Sequence, residues 1–510
     1  MENKALKTDV YTNENIWVDS CEQPIDVDFT LPDYCPDISK IFKCKAVSRI
    51  SSKSLNDKSI TIDGNICITV LYCDKDNNLC SYEYQYPFNK VKEIDHDTQG
   101  CNIYCTAKTD YINCRAVTSR KVDIHGAATL NMKLFCRKKC NVISDFDDNS
   151  IETRRSTAPS TSPMGYAEKY VIIEEEIACS NGSASINRIL RYDAHPSVTD
   201  CKVINDKIMV KGDMSVAITY CAENSSSPQI MKTIIPFSQV VDMQGVTDDC
   251  QCETKTSLAF LDIKPKTNMS GECKIFALSA KLLLCSQAFC QNDVPIINDA
   301  FSRKFEADIK RKNLSIEKIT CTLNERFNCK KSIDLDFNIN NIIDVWCFVQ
   351  NCYTKFADGK MVVNGTLMTG IFACDENNIP VYFEKPTDFE YKIPFCESMG
   401  TPHCDPQIEV VSCGFTIISV NKIEIHTELG INAGIYETKE VSLVCDMEVD
   451  ENKPISRDKQ CAMVIYFAEE NDSLWDIAQK YSASVNEIMS INKMEDENLF
   501  NGKMLLVPLI

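Results

Sequence analysis

One segment of the chain occurs three times, and this repeat constrains the fold of the first nine-tenths. Each copy begins with a glycine and ends nine residues later with a cysteine: Gly64 to Cys73, Gly212 to Cys221 and Gly365 to Cys374. The copies begin 148 and 153 residues apart. Stacked solenoid repeats are much shorter, at about 20–45 residues. The spacing therefore predicts tandem domains of about 110–150 residues each.

Short runs of alternating apolar and polar residues fill these predicted domains. Lys121 to His125 and Lys422 to His426 alternate with a period of two, and turns rich in Asn and Asp separate such runs. This pattern is typical of all-β, sandwich-like modules. Segments rich in Ser, Thr, Pro or charge predict linkers between them. The predicted modules occupy residues 1–145, 166–295 and 296–447, with linkers at 146–165 and 448–460.

The last fifty residues, 461–510, predict a different and smaller domain. Apolar runs of strand length lie at 464–467 and 504–507, on either side of two stretches with helical spacing. Ser473 and Ser484 each precede an acidic residue by three positions, which is the capping-box pattern of a helix start. The whole chain is therefore predicted to be mainly β, with three tandem all-β modules followed by a small α+β (βααβ) domain.

Charge and hydropathy restrict the partners and the compartment. The formal net charge of −19 argues against nucleic acid, because phosphate binding needs a basic surface. The first residues contain no apolar signal region, and no apolar run reaches the length of about 18 residues that a membrane helix needs. We expect a cytoplasmic protein whose 29 cysteines are reduced and serve mainly as packing residues.

The sequence contains no recognisable catalytic constellation. Its five histidines lie outside any nucleophile, zinc-protease or nucleotide-loop motif. Cys-x-x-Cys pairs, which zinc ribbons require, are absent from the sequence. We therefore expect a protein that is not an enzyme and that needs neither a metal ion nor a cofactor.

Runs of residues in the tail and near the N-terminus resemble two known families. The run Asn471-Asp472-Ser473-Leu474-Trp475-Asp476-Ile477-Ala478 and the ending Gly502-Lys503-Met504-Leu505-Leu506-Val507-Pro508 resemble the LysM module. LysM modules bind glycans that contain N-acetylglucosamine, such as peptidoglycan, and some bind proteins. The run Leu31-Pro32-Asp33-Tyr34-Cys35-Pro36-Asp37-Ile38, together with the repeat, resembles the SPOCS (DUF3794) proteins of spore-forming Firmicutes.

The SPOCS resemblance implies a function in spore-coat assembly on the mother-cell side of the forespore. The implied partner is a SpoIVA-like ATPase of the coat basement, which the LysM domain would bind, with other coat proteins as further candidates. The alternative is a protein that binds peptidoglycan of the cell wall or spore cortex. A wall hydrolase targeted by LysM is a third class, and it would need a catalytic site that the sequence does not contain.

The candidate residues for binding a ligand or partner lie in the tail: Asn471, Asp472, Ser473, Leu474, Trp475 and Asn492. Trp475 lies one position round the helix from the apolar stripe, so we expect its indole to be partly exposed as an anchor, or else to be an aromatic at the rim of the core. An asparagine in the place of Asn492, at the end of the second helix, is more often a buried turn residue than a ligand contact. Eight carboxylates against three lysines give residues 461–510 a charge of −5. This charge favours a basic protein surface over a neutral sugar.

Overall fold

The computed structural model describes residues 5–180, 183–223, 225, 227–395, 400–456, 461–470, 472–498 and 502–509. Most of them lie in antiparallel strands. Along the chain the elements are β1 (Ala5–Thr30), β2 (Lys40–Asn56), β3 (Ser59–Cys73), β4 (Leu79–Glu93), β5 (Cys101–Ala116), β6 (Lys121–Phe146), β7 (Ile151–Ala178), β8 (Ile186–Ile204), β9 (Lys207–Ala222), β10 (Gln229–Asp242), β11 (Gln251–Thr267), β12 (Cys273–Ser302), β13 (Phe305–Asp334), β14 (Ile339–Ala357), β15 (Lys360–Asp375), β16 (Pro380–Pro394), β17 (Thr401–Cys404), β18 (Gln407–Ser419), β19 (Lys422–Pro454), β20 (Met463–Phe467), α1 (Leu474–Tyr481), α2 (Val485–Ile491) and β21 (Met504–Pro508).

The strands form three groups with one topology, here named module 1 (β1–β6), module 2 (β7–β12) and module 3 (β13–β19). In module 1 one sheet has the order β1-β6-β5 and the other β2-β3-β4, and module 2 repeats both as β7-β12-β11 and β8-β9-β10. In module 3 one sheet has the order β14-β15-β16. In the other, β19 pairs with β13 on one side and with both β17 and β18 on the other, so β17 and β18 together take the place of the fifth strand. Each module has its own apolar core between its two sheets. The predicted fold class is therefore confirmed.

The repeated glycine is explained by a close contact between neighbouring strands. A Cβ atom on Gly365 would lie 2.5 Å from the Asn351 carbonyl oxygen and 2.5 Å from the Phe389 ring. Gly64 and Gly212 stand in the same relation to Phe88 and Phe237. The phenylalanine ring thus covers the space above the glycine, where a larger residue would collide with it.

Gly365→Ala is expected to lower the free energy of unfolding by about 1–3 kcal/mol, the usual cost of overpacking a core. Gly414 in β18 is the matched control, since a Cβ there would meet nothing within 4 Å. Gly414→Ala is expected to leave stability unchanged or to raise it by about 0.4–1 kcal/mol. Urea unfolding of both variants measures the difference, and equal midpoints would contradict this explanation of the repeat.

The predicted linkers are wrong. Residues 151–165 belong to β7, and residues 448–454 complete β19; residues 457–460 lie outside the described residues. Ser, Thr and Pro can be accommodated here because β7 is the edge strand of its sheet, where a proline breaks no ladder bond. The hydroxyl of Thr161 is also buried and accepts a hydrogen bond from the Ile319 backbone N–H at 2.8 Å. The modules also extend beyond the predicted boundaries, since β12 ends at Ser302 and β19 at Pro454.

The three modules close into a ring. The fourth strand of each module lies against the second strand of another: β4 against β8, β10 against β14, and β16 against β2. Because the third contact returns to module 1, the head-to-tail arrangement closes as it would in a cyclic trimer. An apolar cluster where the modules meet draws on all three: Leu71, Leu79, Leu190, Ile343, Trp346 and Phe372.

Long two-stranded ribbons extend from the ring beyond the module cores. They are formed by β1/β6, β7/β12 and β13/β19, and each has a register shift, between Asn15/Trp17, Ala288/Phe289 and Ile319/Cys321. Such irregularities bend and twist a strand pair. The three ribbons then share one apolar cluster: Val10, Val142, Ala158, Val294, Ile296, Leu314, Ile316, Val441 and Leu443.

Candidate functional site

The C-terminal domain has the predicted strand–helix–helix–strand order. Strand β20 pairs antiparallel with β21, with Ile465 opposite Leu506. Helix α1 begins after Ser473, whose hydroxyl accepts a hydrogen bond from the Asp476 backbone N–H at 3.1 Å. Helix α2 follows Ser484, whose side chain makes no capping hydrogen bond. The serine cap is thus confirmed for α1, where the Asp476 carboxylate accepts from the Ser473 hydroxyl, and it is wrong for α2.

The side chains of Asp472 and Asn492 form hydrogen bonds within their own domain. The Asp472 carboxylate accepts hydrogen bonds from the Tyr466 hydroxyl and from the Glu469 backbone N–H, each at 2.8 Å. The hydrogen bond to Asp472 raises the pKa of Tyr466 to about 12. The Asn492 amide donates to the carbonyls of Ile488 and Leu506 and accepts from the Leu506 N–H. These contacts hold the entry of α1 and join α2 to β21.

Leu474 and Trp475 are buried, at 1% and 4% exposure. The Trp475 indole N–H donates to the Asp299 carboxylate at 3.0 Å, and its ring packs edge-on against Phe301 at 5.1 Å. Both partners lie at the end of β12, in module 2. The expectation of a partly exposed indole is therefore wrong, because the position of Trp475 on its helix does not show what another part of the chain places over it. Asn471 lies outside the described residues.

The outer face of the β20–β21 sheet is apolar and exposed. Met463, Ile465, Phe467 and Met504 are 47%, 59%, 62% and 54% exposed. The two helices cover the opposite face of the sheet, where Val464, Leu505 and Val507 belong to the domain core. We here name Met463, Ile465, Phe467 and Met504 the outer apolar face. The sequence carries a signal for it, since β20 is apolar at every position and a strand with one solvent face would alternate.

A cavity of about 160 Å³ lies where the three modules meet. Its lining includes Tyr104, Lys255 and Tyr436. The Tyr436 hydroxyl donates to Glu253 at 2.9 Å, and the Lys255 ammonium lies 3.1 Å from Asp405. These polar groups therefore satisfy one another, and the contacts they make join modules 2 and 3.

The part of the chain that the structure describes shows neither a metal-binding cluster nor a membrane-spanning helix. That part contains no group of three or more His, Cys, Asp or Glu side chains arranged to hold a metal ion. Within the same residues, no helix has the length and apolar character needed to cross a membrane.

Comparison with known families matches segments of module 1, of module 2 and of the C-terminal domain. Residues 37–117 and 185–266 match the model described as SipL, SPOCS domain, and residues 469–508 match the LysM domain. Searches of curated proteins and of solved structures found no match. Both matched domain types are binding domains, and together they indicate a protein related to the sporulation coat or to peptidoglycan binding. The chain thus contains two segments similar to the SPOCS domain and one similar to the LysM domain, in agreement with the resemblance of its repeat and its tail.

Proposed function

We propose that this chain is a non-enzymatic assembly protein of the spore coat, which docks through its LysM domain on a SpoIVA-like ATPase of the coat basement. It would act in the mother-cell cytoplasm and be recruited to the forespore surface. The observation that supports this proposal best is the outer apolar face of the LysM sheet. The matched SPOCS and LysM domains supply the sporulation context.

The chemistry of the outer apolar face favours a protein partner. Apolar side chains at half to two-thirds exposure gain free energy when another apolar surface removes them from water. Glu469 and Glu470 are exposed just beyond the end of β20, and the whole domain carries a charge of −5. We therefore expect a partner surface with an apolar centre and a basic rim, which gives affinity through burial and orientation through charge.

The double substitution Ile465→Gln/Phe467→Gln is expected to weaken binding to the SpoIVA-like ATPase by at least about tenfold. The reason is that both side chains lose their apolar contacts while the charge of the domain is unchanged, and a tenfold loss corresponds to about 1.4 kcal/mol. Calorimetric titration of the full-length chain with the purified ATPase measures it. Ile172→Gln is the matched control, because Ile172 is 70% exposed on module 2.

Two outcomes would contradict the proposal. If the full-length chain does not bind the ATPase, the proposed partner is wrong. If the double variant and the Ile172→Gln control both bind the ATPase with the affinity of the unaltered chain, the outer apolar face is not the binding surface.

The LysM match itself favours a second candidate, binding to peptidoglycan. Sedimentation of the full-length chain with purified peptidoglycan separates the two. Retention on peptidoglycan that is unaffected by Ile465→Gln/Phe467→Gln, combined with no binding to the ATPase, would favour the glycan. Imaging of a tagged copy in sporulating cells adds a second criterion, since a shell around the forespore fits the coat and a wall pattern fits peptidoglycan.

A further inference from the structure

Each module contains two cysteines that face each other across the seam between its two sheets. The second strand of the module runs beside the fifth along this seam, as β2 with β5, β8 with β11, and β14 with β18. The Sγ atoms of Cys201 and Cys252 lie 2.8 Å apart, and those of Cys347 and Cys413 lie 3.2 Å apart. In module 1 Cys44 lies on β2 and Cys114 on β5, and contact with Cys44 lowers the pKa of the Cys114 thiol. All three pairs thus join the same two strands of their modules.

The three pairs do not derive from one repeated position. Cys44 stands opposite Val70, Cys201 opposite Val210 and Cys347 opposite Thr369. These partners lie six residues after, two residues before and four residues after the repeated glycine of their module. The pairing therefore occurs at three different heights along the seam. The modules therefore share a pair of facing thiols, but the pair lies at a different position in each module.

We propose that these three pairs are sites of disulfide formation, each of which links the two sheets of its module when the chain meets a peroxide. In modules 2 and 3 the sulfur separations of 2.8 and 3.2 Å exceed a disulfide bond of about 2.05 Å by roughly 1 Å, so side-chain rotation closes the gap without moving a strand. Four of the six cysteines are half-buried, so each pair has at least one residue that is in contact with solvent: Cys114, Cys201, Cys252 and Cys413.

The electrostatics of the pairs are suited to this chemistry. A hydrogen bond from the partner thiol lowers the pKa of one sulfur in each pair: Cys114, Cys201 and Cys347. Hydroxyl groups add to this effect, because Thr254 lies 3.1 Å from the Cys201 sulfur and Thr369 lies 3.4 Å from that of Cys347. The thiolate is the reactive form of cysteine, so these three sulfurs are the attacking ones.

The reaction balances with hydrogen peroxide as the two-electron oxidant. The thiolate attacks the O–O bond and becomes a sulfenic acid, and the departing hydroxide takes up a proton to give water. The second thiol then attacks that sulfur, its S–O bond breaks, and a second water leaves with the thiol proton. Two thiols and one peroxide thus yield one disulfide and two water molecules.

The consequence is a module that is harder to unfold. The bonds at Cys201–Cys252 and Cys347–Cys413 would close loops with sequence separations of 51 and 66 residues. Such loops restrict the unfolded chain and leave the native contacts unchanged. A disulfide between Cys250 and Cys290 is already present in the structure, in contrast to the expectation that all thiols are reduced.

The test is disulfide mapping of the full-length chain. The folded, reduced protein is treated with hydrogen peroxide, its free thiols are alkylated, and non-reducing digests are analysed by mass spectrometry. Besides the Cys250–Cys290 disulfide, we expect three further cross-links, which join Cys44 to Cys114, Cys201 to Cys252 and Cys347 to Cys413. We also expect the oxidised chain to unfold at a higher urea concentration than the reduced chain.

Single variants make the result specific. Cys252→Ser should remove the module 2 cross-link and keep the other two, and Cys413→Ser should do the same for module 3. Cys67→Ser is the matched control, since this buried thiol contacts the Gln85 amide, and it should keep all three cross-links. Alkylation of all six cysteines after oxidation of the folded protein would overturn the proposal. Cross-links of Cys201 to Cys250, or random pairing, would overturn it equally.

Discussion

Arg191→Ala is expected to destabilise the ring by about 3–5 kcal/mol, the usual cost of removing one partner from a buried ion pair. The guanidinium of Arg191 lies 2.8 Å from the Asp344 carboxylate, with side-chain exposures of 11% and 2%. It also contacts Asp193 and lies over the Trp346 ring. Removal of Arg191 leaves the Asp344 charge buried between modules 2 and 3. Urea unfolding, followed by circular dichroism, measures the loss.

Two controls separate the buried charge from the loss of a side chain. Lys266 pairs with Glu176 on the surface, where both side chains are more than half exposed, so Lys266→Ala should change stability by no more than about 1 kcal/mol. The double variant Arg191→Met/Asp344→Leu removes both charges and should recover most of the lost stability. A double variant as unstable as Arg191→Ala would show that shape, and not charge, determines the cost.

Trp475→Ala is expected to destabilise the LysM domain by about 3–5 kcal/mol, because a buried indole and its contacts are lost. The substitution removes the packing on Phe301 and the hydrogen bond to Asp299. Asp299 retains its ion pair with Arg311 at 2.5 Å, so module 2 is expected to stay folded. Hydrogen exchange of the full-length chain should therefore increase across residues 461–510 and leave the three modules protected.

Trp475→Phe is the conservative control. It keeps an aromatic ring against Phe301 and removes only the N–H donor, which should cost about 1.5–3 kcal/mol for a hydrogen bond to a charged group. A folded Trp475→Ala variant with normal exchange and reduced partner binding would contradict this reasoning. It would instead restore Trp475 as the exposed anchor that its helical position suggested.

Local pattern was sufficient to predict the strand content and the domain types. The Gly-to-Cys repeat reflects a contact that lies within a single module. In module 3 it joins Gly365 to Phe389, and the equivalent contact is present in modules 1 and 2. Helix α1 was likewise predictable from Ser473 and the spacing of Leu474, Ile477 and Ala478, since a helix start and its apolar stripe are local features.

Contacts between distant segments could not be predicted in this way. Nothing near Trp475 in the sequence indicates Asp299, which lies 176 residues away. The segment around Pro159 resembled a linker because composition does not reveal that β12 supplies the pairing partner. The outer apolar face could be predicted only in part. The sequence of β20 shows an excess of apolar residues, but the placement of the helices decides which of these residues remain exposed.

The closed ring has a consequence for how the protein responds to dilution. Three separate chains in this arrangement would dissociate as their concentration falls, because their association requires encounters. Here the joins between successive modules are short, at residues 147–150 and 303–304, so neighbouring modules stay at a high effective concentration. The threefold geometry is then a property of each single molecule, and a scaffold present in few copies keeps its shape.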